Sequence, residues 1–107
     1  MKLNIIIGEY AMDLEVPQGY IDASGDSFDR LDGDMDKGVR LGNQFIKNAD
    51  ATERCQYAAN KLLTAIETHN EGMAMLSAGY IINRMPGVTG INIDNNGEPQ
   101  NTAFRQG

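Results

Sequence analysis

One cysteine and one histidine are all the chain holds of either residue, which excludes a disulfide framework and a Cys/His zinc site within one chain. Basic residues are scarce as well. Nine Lys and Arg stand against fifteen Asp and Glu, a formal net charge of −6, whereas phosphate-backbone binding needs a clustered cationic footprint. Direct nucleic-acid binding is therefore not expected. Tyr10, Tyr20, Tyr57 and Tyr80 are not interleaved with basic residues, so they offer single strands no stacking platform. No apolar run approaches the roughly 20 residues of a membrane helix, and the opening MKLNIIIGEY turns polar too early for a signal peptide. The expectation is an acidic cytoplasmic protein with no membrane partner.

Catalytic motifs are missing too. Gly38-Val39-Arg40-Leu41-Gly42 lacks the Lys-Ser/Thr ending and the preceding strand of a phosphate loop. Gly87-Val88-Thr89-Gly90 follows a helical pattern instead of opening one. There is no nucleophile elbow and no metalloprotease helix. No catalytic residue and no cofactor is assigned, and the sequence leans toward a non-enzymatic interaction or accessory protein.

What is present is one small α+β domain over residues 1–107, 41% hydrophobic. Leu3, Ile5 and Ile7, then Tyr10, Met12, Leu14 and Val16, alternate with their neighbours, so residues 3–16 predict a β-hairpin. Gly8-Glu9 fits its two-residue turn, with Gly at the first central position where φ is positive. Residues 17–25 carry turn formers and read as a loop. From Asp26 the spacing is helical: Phe28, Leu31, Met35, Val39, Gly42, Phe45 and Ile46 share a face, although Gly33, Gly38 and Gly42 weaken one unbroken helix.

Asp50 with Glu53 forms a helix-start box, and Pro86-Gly87 marks the stop. Between them Cys55, Ala59, Leu62, Ile66, His69, Met73, Leu76 and Tyr80 alternate spacings of four and three, a heptad seam. Ala58, Ala65, Gly72 and Gly79 run beside it as a small-residue stripe. The seam favours one long second helix over 51–85 with Gly72 packed inside it, while His69-Asn70-Glu71-Gly72 alone resembles a helix end. The later outer positions Ala74, Met75, Ala78, Ile81, Ile82 and Met85 are apolar, so this half should be buried on all sides. Ile91 and Ile93 then alternate into an Asn-Gly turn as a third strand, with a short fourth strand possible in 98–107. The order β-β-α-α-β(β) predicts a small antiparallel sheet covered on one face by helices.

A continuous helix over 51–85 would be ~52 Å long at 1.5 Å per residue, against a diameter of roughly 34 Å for a compact chain of this length. The overhang predicts a homodimer packed through Gly72, Met73, Met75, Leu76, Gly79, Tyr80, Ile81 and Ile82. His69 and Cys55 sit on the same seam as candidate switch residues, one for pH and one for redox.

Charge is distributed unevenly. Residues 22–36 carry Asp22, Asp26, Asp29, Asp32, Asp34 and Asp36 against Arg30 alone, so they hold −5 of the chain's −6. Asp32-Gly33-Asp34-Met35-Asp36 echoes the opening of a calcium loop, but Lys37 and Asn43 stand where that loop needs Gly and a bidentate Glu. Three readings follow for the segment: a solvated helix face with Arg30 and Arg40 pairs, a divalent-metal or small-ligand site at Asp29, Asp32, Asp34 and Asp36, or a docking surface for a basic protein. The last includes an acidic decoy or inhibitor of a nucleic-acid-binding protein.

Overall fold

The alternating start folds as expected: β1 (Lys2–Ile7) and β2 (Tyr10–Glu15) form an antiparallel hairpin. Ile7 opposes Tyr10 across Gly8-Glu9, with Gly8 at φ +59°. A computed structural model describes all residues from Met1 to Gly107. After the hairpin come α1 (Gln18–Ala23), α2 (Gly25–Met35), β3 (Val39–Leu41), β4 (Gln44–Ile46), α3 (Ala51–Glu67), α4 (Glu71–Arg84), β5 (Val88–Ile93), a 3-10 turn at Pro99–Asn101, and β6 (Ala103–Gln106). The architecture is α+β.

The main sheet has the order β2-β1-β5-β6. Its centre is parallel, with Ile5 beside Ile91 and Ile7 beside Ile93, so the sheet is mixed where an antiparallel one was expected. The crossover through all four helices brings β5 back in the direction of β1. Such a connection needs a dozen or more residues, which the intervening helices supply. Leu3, Ile5 and Ile91 are fully buried and join a single core cluster of 23 residues.

Three expectations about the middle of the chain are corrected. Residues 17–25 are not a loop: Pro17 precedes the short α1, whose Ile21 is buried. The first long helix stops at Met35. Gly38 at φ +107° and Gly42 at φ +63° occupy left-handed backbone that an α-helix does not contain, and 39–46 form a separate two-stranded hairpin. The spacing of Val39, Gly42, Phe45 and Ile46 matched a helix face by coincidence. In the hairpin Val39 and Leu41 point inward, while Phe45 is 54% exposed.

The second helix is two helices. Asp50 accepts from the Glu53 N–H while Glu53 accepts from the Asp50 N–H, at 2.8 and 2.9 Å, so the start box is as read. The helix then ends in a Schellman motif. His69 takes φ +56°, the Asn70 N–H donates to Ala65 O and the His69 N–H to Ile66 O. Asn70 caps the next helix by accepting from the Met73 N–H at 3.1 Å. Residues 54 and 58 thereby lie opposite 84 and 77, and α3 and α4 pack antiparallel. With the helix folded back, the extents are 34 × 32 × 28 Å, and the predicted overhang disappears.

Of the apolar positions expected to be buried on all sides, Ala74, Ala78, Ile81 and Ile82 are buried, by the chain itself, while Met75 and Met85 are only half-buried. Tyr20 of α1 and Phe28 of α2 sit against Gly79, where an added Cβ would meet them at 3.3 and 3.1 Å. Tyr80 packs edge-on to Phe28 at 6.2 Å. Asp50→Ala removes one half of the helix-start box and is expected to cost about 1 kcal/mol in urea unfolding, with the unfolding slope unchanged.

Candidate functional site

The acidic segment becomes the centre of an ion-pair network. Asp29 and Asp32 on α2 and Asp36 at its C-cap follow one another at three- and four-residue spacings, on one face. Arg54 from α3 donates to Asp32 Oδ1 at 3.1 Å and Asp36 Oδ1 at 2.7 Å. Arg84 from α4 donates to Asp32 Oδ2 at 3.0 Å and Asp29 Oδ1 at 2.9 Å. The Tyr80 hydroxyl donates to Asp32 Oδ1 at 2.6 Å. Arg54 also donates to the carbonyls of Asp32 and Ala49. It thus covers the C-terminal end of α2, where the helix dipole opposes acidic residues.

Each group is tuned by its neighbours. Burial raises the Asp32 carboxyl, but the bonds from Tyr80, Arg54 and Arg84 outweigh it and hold the group below its ordinary value. The bond to Asp36, followed by that to Asp32, outweighs partial burial and raises Arg54. Burial lowers Arg84, but Asp29 and Asp32 more than restore it. Burial, then the Asp32 charge, push the Cys55 thiol up to about 12. Burial and the bond to Asp32 raise the Tyr80 hydroxyl. Cys55 and Tyr80 are therefore protonated near neutral pH, and neither is poised as a nucleophile or base.

These contacts revise the site residues read from sequence. Three of the four metal candidates, Asp29, Asp32 and Asp36, are engaged by guanidinium groups. Asp34 lies off their face and is exposed. No group of three His, Cys, Asp or Glu side chains converges as a metal site. Arg54 and Arg84, far along the chain, also offset much of the charge that made 22–36 resemble a docking surface for a basic protein. Cys55 is fully buried, as its seam position implied. His69 is not in a seam: its positive-φ backbone leaves it exposed at the α3–α4 corner.

The proposed dimer face divides in two. Gly79, Tyr80, Ile81 and Ile82 are inside the chain's own core and are unavailable to a partner. Gly72 and Met73 are exposed, and Met75 and Leu76 are half-buried. Met75 opens onto a groove of about 470 Å³ between β2 and the corner, lined by Tyr10, Met12, Leu14, Ala65, Ile66, His69, Asn70, Glu71 and Ala74. On the other flank of α4, Met73 and Ser77 line a smaller cavity of about 130 Å³ at the root of the β3–β4 hairpin.

Tyr10, Met12 and Leu14 share one face of the hairpin, and their strand is an outer strand of the sheet, a placement that alternation alone does not reveal. Tyr10 is 56% exposed, and a large aromatic at a strand end was the signal available. No helix is long and apolar enough to cross a membrane. Compared with protein-family models, curated proteins and solved structures, the chain matches none.

Proposed function

We propose that this is a small acidic, non-enzymatic interaction protein of the cytoplasm that self-associates through the corner between α3 and α4. The observation carrying this reading is the groove beside Met75: apolar, open, and bounded by a sheet strand with one free edge. Tyr10 in the groove lining is 56% exposed, and Met73 on the other flank of α4 is exposed as well. Surface aromatics and methionines are over-represented at the cores of protein interfaces, and Met side chains adapt to irregular partners. The non-enzymatic part is supported by the saturation of Asp32 and by the protonated states of Cys55 and Tyr80.

The test is sedimentation equilibrium on the full chain across a concentration series. The wild type is expected to approach twice 11.7 kDa, and Tyr10→Ser with Met73→Ser to weaken that association by about tenfold or more, the scale of one interface hot spot. A wild type that stays monomeric at about 1 mM, the weak end of specific association, overturns the reading.

A further inference from the structure

Resting on that reading, we infer that the occupant of the groove is the β3–β4 hairpin of a second copy, inserted reciprocally. The hairpin presents an aromatic anchor between cations. Arg40 stands directly across from Phe45, and Lys47 follows two residues later, so the exposed face carries Phe45 flanked by two positive charges. Residues 37–47 hold Lys37, Arg40 and Lys47 with no acid among them. All five ion pairs of the chain use only the Met1 amine, Arg54 and Arg84 as cations. The hairpin's charges are therefore unspent.

The groove is the opposite in sign. Glu71 lines it, and Glu67 and Glu9 flank lining residues Ile66 and Tyr10. No Lys or Arg lines the groove. Two grooves brought face to face would oppose acid to acid, whereas hairpin into groove opposes Arg40 and Lys47 to Glu67 and Glu71. Aromatic residues and arginine are also enriched at protein interfaces relative to the rest of the surface.

The two surfaces sit on either flank of the same turn of α4: Met73 faces the hairpin root and Met75 the groove. In a two-fold assembly the hairpin–groove contact is made twice and the assembly closes.

The experiment is sedimentation equilibrium on full-length variants. Phe45→Ser, Arg40→Glu with Lys47→Glu, and Glu67→Lys with Glu71→Lys alter exposed or groove-edge side chains, and circular dichroism verifies folding. Each is expected to raise the dimer dissociation constant at least about tenfold, one unit of 1.4 kcal/mol. An equimolar mixture of the two charge-reversed proteins is expected to regain wild-type association, because both hairpin–groove pairs are again complementary. Wild-type dimers indifferent to all three changes would overturn the hairpin assignment while leaving self-association standing. A monomeric wild type overturns both, and one that instead takes up a Lys- and Phe-bearing peptide in the groove assigns the groove to a foreign basic protein.

Discussion

Asp32→Asn is expected to destabilise the fold by about 2–3 kcal/mol. That lies between the 0–1 kcal/mol of an exposed ion pair and the 3–5 kcal/mol of breaking a buried one. The intermediate value follows from the geometry. The Asp32 side chain is 28% exposed and its partners 18% and 28%, so water screens part of the interaction. Yet Asp32 alone joins three helices, accepting from Tyr80, Arg54 and Arg84. Asparagine keeps the shape but loses the charge and one acceptor, leaving two guanidinium groups facing each other. Asp34→Asn, with no ion-pair partner, is the control and should stay within about 0.5 kcal/mol.

The same substitution has a pH signature. Hydrogen bonds hold the Asp32 carboxyl below its ordinary 3.8, so the folded state binds its proton less readily than the unfolded chain. Its contribution is complete above the unfolded value and is lost as pH falls through the lower folded value. The stability gap between wild type and Asp32→Asn should therefore be constant from pH 5 to 7 and close at pH below about 4. Urea unfolding at a series of pH values measures this. A gap that persists unchanged to pH 2 would mean that charge is not what Asp32 contributes.

What was readable from sequence is local. The Gly8-Glu9 turn, the alternation of β1 and β2, the Asp50–Glu53 box and the stop before Pro86 each depend on residues within four positions of one another. The burial of Ala74, Ala78, Ile81 and Ile82 on α4 was also readable, because that half of the helix has almost no polar face. What covers that half was not readable: Tyr20 and Phe28 precede Gly79 by more than fifty positions, and nothing in their own neighbourhood marks the contact.

Two errors share another cause: periodicity does not know where the chain bends. Cys55 to Tyr80 keeps heptad spacing across the break because three linking residues substitute for part of a turn. The left-handed backbone is carried by His69, a residue with side-chain bulk, where glycine would have signalled it. Likewise Asp29, Asp32 and Asp36 looked like an uncompensated cluster because Arg54 and Arg84 lie far away in sequence. An acidic run can be a binding surface or half of an ion-pair network, and only tertiary placement separates them.

Phe28→Ala should give the largest loss, about 3–5 kcal/mol. Phe28 is fully buried, meets Gly79 on one side and packs edge-on to Tyr80 at 6.2 Å. Glycine supplies no side chain to fill the space left by the ring, and Tyr80 is held in place by its hydroxyl bond to Asp32. Collapse is limited on the α2 side as well, since Arg54 and Arg84 anchor that helix through Asp29, Asp32 and Asp36. The cavity therefore persists and its full cost is felt. Against a total stability of about 5–15 kcal/mol for a domain, the loss should lower Tm by about 15 °C or more, whereas Phe28→Leu, which refills most of the volume, should cost about half as much or less. Phe28 lines neither the groove nor the hairpin face, so the Phe28→Leu protein should associate with wild-type affinity wherever it remains folded. Calorimetry and sedimentation on the same preparations would separate the two quantities: a Phe28→Leu chain that is folded yet monomeric would place the self-association surface on α2 and not at the corner.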